Sequence, residues 1–258
     1  MLKPTGPRLR RLEIRPGHWG QWLGVGAVGL VGFVVLALLL HFETRVGQLD
    51  ESLLSTVIGL RSPVLTAFAS LVTRLGSASI VILLGIAAAV VLGLRSRWVL
   101  LPLALLGALA ATASLVTILK IALDRPRPPA KLVVGLPLSN DAFPSGHTTD
   151  GSVVIVLAAA MLGLTFGRSL VRWLLVISGC LVAFLIGCSR VYLGLHWPSD
   201  VLGGWLLATT MVSMTMIGVN LALIAYPGGE KVPEALDPDA VADGTLPMNL
   251  QQVGRDKE

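Results

Sequence analysis

Charged residues are scarce in this sequence. Asp, Glu, Lys and Arg make up 14% of its 258 residues, whereas a soluble domain carries about 25%. Hydrophobic residues make up 54%, and the mean hydropathy is +0.79. The apolar residues form continuous runs of helix length instead of alternating segments, which excludes an outer-membrane β-barrel. The composition therefore indicates an integral membrane protein whose core is a helix bundle.

Cysteine is almost absent. Cys180 and Cys188 are the two cysteines, and they lie eight residues apart on one apolar segment. This spacing corresponds to about 12 Å along a helix, which is too long for a disulfide. We therefore expect two free cysteines that serve as packing residues and do not report the redox compartment.

Acidic residues are outnumbered by basic ones, and the formal net charge is +5. Much of this charge lies beside apolar segments, where basic residues anchor a membrane topology or face anionic lipid. We therefore expect membrane lipids as partners and no nucleic acid. The sequence leaves the oligomeric state open.

Six apolar segments predict transmembrane helices, because each approaches the length of about 20 residues that crosses a bilayer. The first segment follows a basic start, but it is long and no small-residue cleavage site follows it. We therefore interpret it as a retained helix and not as a signal peptide. The segments are residues 21–40, 77–94, 98–119, 148–166, 173–188 and 201–226.

The expected fold is all-α: a polytopic membrane helix bundle with about six transmembrane helices plus short amphipathic helices. Residues 1–19 are expected to be a basic cytoplasmic N-terminus, and residues 20–226 the membrane domain. Residues 227–258 are rich in Pro, Gly, Asp and Glu, which predicts a disordered cytoplasmic tail.

Residues 46–75 have a different pattern, in which apolar side chains recur at steps of three and four. Ser62 and Pro63 interrupt the pattern and restart it as an N-cap and a first helical residue. We expect two short amphipathic helices that lie on the membrane surface or cover the bundle. The apolar stripe consists of Val46, Leu49, Leu53, Val57, Leu60, Val64, Phe68, Leu71 and Leu75.

Short loops rich in arginine belong in the cytoplasm. Residues 95–97 and 167–172 form two such connections, on the same side as the basic N-terminus. The sequence therefore predicts a multi-pass protein of the cell membrane with both termini in the cytoplasm. Three polar clusters between residues 120 and 200 then lie on the extracytoplasmic side. Their basic residues are exceptions to the rule that loops rich in arginine lie in the cytoplasm. This indicates that those basic residues take part in a reaction and do not serve only to set the topology.

The three clusters lie at the edges of apolar segments, where ionisable groups are costly and usually functional. The first is Lys120-Ile-Ala-Leu-Asp-Arg-Pro-Arg127-Pro, and the second is Phe143-Pro-Ser-Gly-His147. The third is Ser189-Arg190, followed after five residues by His196-Trp-Pro-Ser-Asp200.

The second cluster directly precedes an apolar segment, so its backbone amides are expected at a helix N-terminus. Such a position favours an anion, and Gly146 would let the backbone approach a ligand closely. The same residues are equally compatible with an ordinary helix start that is capped by Ser145.

In the third cluster, Pro198 suits the first turn of the last helix and places Asp200 within that turn. His196 would then lie close enough for its Nδ1–H to meet the Asp200 carboxylate, which leaves Nε2 free to attack. The alternative is an interfacial histidine beside an interfacial Trp197.

Lys120, Arg127 and Arg190 are three cations that can hold the oxygens of a transferring phosphoryl group. Taken singly, each also fits a cation that snorkels from a helix end. Asp124 is expected to be a salt-bridge partner within the first cluster.

The combination of the clusters resembles the type 2 phosphatidic acid phosphatase superfamily. Its three signature motifs are complete and in order: Lys, six residues, Arg-Pro; Pro-Ser-Gly-His; and Ser-Arg, five residues, His, three residues, Asp. The resemblance covers residues 120–200, and the layout of six spans is also similar to that of the membrane lipid phosphatases of this family.

The resemblance implies an integral membrane phosphatase that hydrolyses a lipid phosphate or diphosphate through a phosphohistidine. His196 would be the nucleophile, Asp200 would orient it, and His147 would be the general acid. The spacing of the family motif selects Arg127 for the phosphate site and gives Arg125 an assisting role. The phosphate-binding residues would be Lys120, Arg127, Ser145, Gly146 and Arg190.

No cluster with metal-ligand spacing accompanies the motifs, so neither a metal nor another cofactor is expected. Phosphatidic acid, phosphatidylglycerol phosphate and a polyprenyl diphosphate such as undecaprenyl diphosphate all remain open as substrates. One alternative function is a lipid-phosphate phosphotransferase. A vanadate-dependent haloperoxidase-like enzyme is another, although those enzymes are soluble. An anion transporter is the alternative outside enzymes, but it would not need a carboxylate four residues after a histidine.

Overall fold

The computed structural model describes residues 19–42, 45–96, 98–135, 141–166 and 168–225. The expected basic N-terminus, apart from Trp19, and the expected tail lie outside these ranges. Within them the chain forms α-helices and one short 3-10 helix, Ala130–Leu132. The α-helices are α1 (Trp19–His41), α2 (Val46–Gly59), α3 (Pro63–Arg74), α4 (Ala78–Ser96), α5 (Leu100–Leu123), α6 (Gly146–Leu164), α7 (Ser169–Tyr192) and α8 (Pro198–Ala225).

Six of these helices, α1 and α4 to α8, are long and apolar enough to cross a membrane, which confirms the predicted spans. Their bounds differ from the predicted ones, most of all in α7, for which the predicted range 173–188 is too short. Ser189 and Arg190 were taken to end an apolar run, but both are buried and the helix continues through them to Tyr192. Lys120 likewise belongs to the last turn of α5.

Helices α6 and α8 form the centre of the bundle. In the most apolar stretch of each, 61% of the residues of α6 and 50% of those of α8 are buried, whereas the other spans reach 17–28%. Helix α1 packs closely on α8, since a Cβ atom at Gly29 would lie only 2.9 Å from the backbone oxygen of Leu206. Glycine allows this approach of two helix backbones in the membrane.

The two amphipathic helices are present as α2 and α3. Ser62 is the N-cap of α3 and its Oγ accepts a hydrogen bond from the Leu65 amide, while Pro63 is the first helical residue. Both predictions for this junction are confirmed.

Most of the predicted apolar stripe of α2 and α3 faces away from the bundle, although Val46 and Val57 are half-buried and pack against core residues. Leu49, Leu53 and Phe68 are exposed by half or more. The buried residues of the two helices are instead Asp50 and Leu54 in α2, and Ala69 and Val72 in α3. The helices therefore cover the bundle with one face and leave most of their apolar side chains exposed on the other.

All three polar clusters meet at one end of the bundle, where α5 and α7 end and α6 and α8 begin. Helices α2 and α3 lie at the same end, since Arg61 between them donates from Nε to the backbone oxygen of Tyr192 at 2.9 Å. At the opposite end, Arg95 of α4 donates from Nε to Thr165 Oγ1 at 3.2 Å and lies over the Phe166 ring. The path of the chain places the start of α1 and the end of α8 at that opposite end as well.

Candidate active site

The third cluster brings His196 and Asp200 together at the start of α8. Both side chains are fully buried, and His196 Nδ1 lies 3.3 Å from Asp200 Oδ2. The same Oδ2 accepts a hydrogen bond from the backbone amide of Trp197 at 2.9 Å. This reach of a carboxylate back to the N-cap amide is half of a capping box. The helix start that places Asp200 within the first turn therefore also holds the carboxylate against the imidazole.

Arg127 lies at the other nitrogen of the same imidazole. Its Nη1 is 3.0 Å from His196 Nε2 and donates to the backbone oxygen of Leu195 at 2.6 Å. A guanidinium has donors only, so Nε2 must be the acceptor in this contact and the ring proton must be on Nδ1. The geometry thus fixes the tautomer that leaves the Nε2 lone pair available.

The charge state of His196 follows from its surroundings. Burial lowers the pKa of His196 well below its usual value, and the nearby cations Arg127, Arg190 and Lys120 lower it further. A neutral imidazole is therefore strongly preferred, which is the form that can act as a nucleophile.

Lys120 and Arg127 converge on the loop that precedes α6. Lys120 Nζ donates to the backbone oxygen of Asp141, and Arg127 Nη2 donates to the same oxygen at 3.3 Å. The end of α5 and the segment after it are thereby tied to the second cluster, and two cations of the first cluster lie side by side.

Arg190 reaches the site from the last turn of α7 and is 3% exposed. Its Nη1 donates to Thr73 Oγ1 of α3 at 2.8 Å. Its Nε and Nη2 are buried without a hydrogen-bond partner among the described residues. A buried cation with two such donors is costly unless an anion meets it. Ser189 beside it donates to the backbone oxygen of Ile186 in its own helix.

The second cluster begins α6, with Ser145 at the N-cap position. Ser145 does not cap the helix with its side chain: its Oγ accepts a hydrogen bond from Thr148 Oγ1 at 2.9 Å and is fully buried. The Ser145 amide donates to the backbone oxygen of Asp200 at 3.1 Å, which joins the starts of α6 and α8. Gly146 and His147 occupy the first turn, and both are half-buried.

His147 lies within electrostatic range of His196 and of the three cations of the site. Its backbone packs against the turn between α3 and α4, since a Cβ atom at Gly76 would lie 2.9 Å from the backbone oxygen of His147. The structure thus brings together the side chains that the three motifs singled out.

Two residues outside the predicted set lie directly behind the site. Arg125 Nη1 donates to Asp200 Oδ1, and Arg125 Nη2 donates to Asp50 Oδ2 of α2 at 2.6 Å. Sequence reasoning gave Arg125 only an assisting role and overlooked Asp50. Asp124 ends α5 in a left-handed conformation, with φ 40°. The ion pairs among the described residues do not include it, so its role as a salt-bridge partner stays a prediction.

In the described part of the chain, no three His, Cys, Asp or Glu side chains lie close enough together to hold a metal ion. The cysteines Cys180 and Cys188 are both free, as predicted.

Comparisons with known proteins agree with this arrangement. The family model of the PAP2 superfamily matches residues 101–222, which include all three clusters. Phosphatidylglycerophosphatase B of Bacillus subtilis is 33% identical over 179 residues, which are 68% of this chain and 85% of that protein. A putative undecaprenyl-diphosphatase of Escherichia coli is 42% identical over 71 residues, which are 26% of this chain and 30% of that protein.

A solved structure is similar over most of the fold. The crystal structure of the first transmembrane PAP2 type phosphatidylglycerolphosphate phosphatase from Bacillus subtilis has a TM-score of 0.70 and 26% identity to this chain. The likeness covers 77% of this chain and 96% of that one. The chain therefore belongs to the PAP2 superfamily, and it is a membrane lipid phosphatase.

Proposed function

We propose that this chain hydrolyses a lipid phosphate through a covalent phosphohistidine on His196, without a metal ion. The contact of His196 Nε2 with a guanidinium, opposite the contact of Nδ1 with Asp200, carries the proposal. Together they leave one ring nitrogen unprotonated beside the cations that would hold a phosphate.

Binding of the phosphate group is the first step. The free donors of Arg190 would take up phosphate oxygens, with Lys120 and Arg127 on the neighbouring side. The amide of Gly146 and the N-terminus of α6 would contribute partial positive charge, and Ser145 would support that loop. These fixed charges replace a metal ion as the electrostatic clamp.

Attack on phosphorus follows. Phosphate oxygens compete with His196 Nε2 for the donors of Arg127, so binding of the substrate releases the lone pair of the nucleophile. The Nε2–P bond forms while the bond between phosphorus and the leaving oxygen breaks, and His147 gives its proton to that oxygen. The ring of the phosphohistidine carries positive charge, which the Asp200 carboxylate stabilises through Nδ1–H.

Water completes the cycle. His147, now neutral, takes a proton from a water molecule that attacks phosphorus, and the Nε2–P bond breaks. Inorganic phosphate leaves, and His196 returns to the tautomer from which it started. A phosphotransferase would use the same steps with a lipid hydroxyl in place of water.

Two substrate classes should be tested first. A lipid of the phosphatidylglycerol phosphate type has the stronger support, because a relative and a solved structure of that activity match over 85% and 96% of their own lengths. Undecaprenyl diphosphate is the second candidate, supported by a match of 71 residues around the motifs.

The test is phosphate release by the purified protein in detergent or vesicles from both lipids and from phosphatidic acid. We expect release from at least one lipid, equal rates with and without EDTA, and no release by the His196→Ala variant. Loss of activity in EDTA that Mg²⁺ restores would contradict the metal-free mechanism. Transfer of the phosphate to an added lipid alcohol, without release into water, would instead identify a phosphotransferase.

A further inference from the structure

Arg125 bridges two buried carboxylates behind the nucleophile. One of its terminal nitrogens donates to Asp200 Oδ1 and to Ser199 Oγ, and the other donates to Asp50 Oδ2 at 2.6 Å. Asp50 is 3% exposed and Asp200 is fully buried. A guanidinium can serve two carboxylates at once because its donors point in fixed and different directions.

Asp50 also caps α8 from another helix. Its Oδ1 accepts a hydrogen bond from the Ser199 amide at 2.9 Å, and its Oδ2 accepts one from Ser199 Oγ at 2.5 Å. Trp197, at the N-cap position of α8, has no side-chain acceptor for the free amides of the first turn. An N-cap normally supplies such an acceptor itself, and here α2 supplies it across the molecule.

These contacts leave the Asp200 carboxylate little freedom. Oδ1 is held by Arg125, while Oδ2 receives the Trp197 amide and the Nδ1–H of His196. Rotation of the carboxylate would break the contact with the nucleophile, and Arg125 opposes that rotation. Asp50 in turn holds Arg125 in place, so the orientation of His196 depends on a chain of four side chains that begins in α2.

We propose that Asp50 and Arg125 are positioning residues for the nucleophile. They fix the Asp200 carboxylate, and through it the tautomer and direction of His196, without touching the substrate phosphate. This inference rests on the proposed function of the same site. It makes α2 a structural part of the catalytic centre.

The test compares Asp50→Asn with Glu51→Gln, which neutralises the exposed neighbouring carboxylate of the same helix. Misplacement of a reacting group by about 1 Å can cost about 10²-fold in rate. We therefore expect a loss of kcat of about that size in Asp50→Asn. KM and inhibition by inorganic phosphate should stay unchanged, because Lys120, Arg127 and Arg190 are intact. Glu51→Gln should match the wild type.

Two further variants distinguish the position of the side chains from their charge, and distinguish both from a failure of the protein to fold. Arg125→Lys keeps the positive charge but cannot bridge both carboxylates, so it should also lose kcat. Ser199→Ala removes one bridging hydroxyl and keeps the ion pairs, and it serves if Asp50→Asn does not fold. A smaller loss of kcat is expected there, again with unchanged phosphate inhibition.

A second readout does not depend on turnover. The tautomer of His196 can be followed by ¹⁵N NMR of labelled histidine, since the chain has four histidines to assign. Asp50→Asn should raise the share of the Nε2–H form. A folded Asp50→Asn variant with wild-type kcat and tautomer would overturn the inference, and so would a parallel weakening of phosphate inhibition. Absence of phosphate release by the wild type would overturn only the proposed function, because the tautomer comparison would still decide the role of Asp50.

Discussion

The proton of His196 is the residue-scale feature on which the proposed reaction depends. Arg127 can only donate and Asp200 lies at the opposite nitrogen, so the imidazole is held with its proton on Nδ1. Burial and three neighbouring cations keep this ring neutral. A lone interfacial histidine would have neither constraint, so the interfacial interpretation of this residue is wrong.

The lowered pKa of His196 leads to a prediction on pH. A histidine is half-protonated near pH 6.5, but a ring with a lowered pKa stays neutral at and below that pH. We expect the ¹⁵N signals of His196 to keep the neutral pattern as the pH falls through 6.5. Arg127→Gln removes a neighbouring positive charge and should raise the titration midpoint. A His196 that protonates near pH 6.5 in the wild type would contradict the neutral nucleophile.

Arg127 and Arg125 should differ in how they affect the reaction. Removing one donor that stabilises developing charge costs about 10² to 10³ in kcat, and we expect such a loss in Arg127→Ala together with weaker inhibition by inorganic phosphate. Arg125→Ala should lower kcat but keep phosphate inhibition, because it touches Asp50 and Asp200 instead of the phosphate site. Arg74→Ala, at an exposed position of α3, is the control. Equally weakened phosphate inhibition in the Arg127 and Arg125 variants would show that the wrong arginine has been assigned to the clamp.

Asp50 is the residue near the site that could not be predicted from the sequence. The motif residues could be placed in advance because their spacing is specific, and the predicted contact between His196 and Asp200 is confirmed. Asp50 gave no such signal, since it stands next to the apolar stripe of α2 like an ordinary polar residue. Its partner lies 75 residues away, and only the packing of α2 against the start of α8 brings the two together.

For helices α2 and α3, the sequence predicted the elements but not the orientation of their faces. Their periodicity predicted two amphipathic helices with correct bounds and an N-cap at Ser62. In water the apolar stripe would be the buried face, but here Leu53 and Phe68 are exposed by half. The exposed apolar side chains form the outer face of these helices, and the inward face carries Asp50 and Leu54 in α2 and Ala69 and Val72 in α3. The periodicity of the apolar residues predicts the helix, but it does not predict which face of the helix packs against the bundle.

The contact of α6 with the turn between α3 and α4 gives a prediction for Gly76. A Cβ atom there would lie 2.7 Å from Ile186 Cγ2 and 2.9 Å from the backbone oxygen of His147. Gly76→Ala should therefore shift the first turn of α6 and lower both kcat and the midpoint of thermal unfolding. Gly59→Ala, where nothing lies within 4 Å, is the matched control and should keep full activity. Unchanged activity in Gly76→Ala would show that the turn between α3 and α4 does not set the position of His147.

At the scale of the whole molecule, the bundle has two ends of different character. One end holds the three clusters with α2 and α3, and the other holds Arg95 with Thr165 and Phe166. The arginine-rich loops predicted this division, because their described residues, 95–96 and 168–172, belong to the second end. The compartment that each end faces remains a prediction from the distribution of arginine.

Cysteine labelling tests that orientation. In a variant without Cys180 and Cys188, the exposed Lys131 is replaced by cysteine at the cluster end and the exposed Ser169 at the other end. We expect an impermeant thiol reagent to label Lys131→Cys in intact cells and to label Ser169→Cys only after lysis. The reverse pattern would place the site in the cytoplasm.

Detection of the phosphorylated histidine is the most direct test of the mechanism as a whole. His147→Ala should slow the breakdown of the intermediate, since general base catalysis contributes about 10²- to 10⁴-fold. A diphosphate has a good leaving group and can still phosphorylate this variant. After a rapid quench with terminally ³²P-labelled undecaprenyl diphosphate, we expect label on the peptide that contains His196, stable in base and lost in acid. The label should be stronger in His147→Ala than in the wild type and absent in His196→Ala. Release of phosphate by the wild type with no label on His196, or with label on His147, would contradict the account.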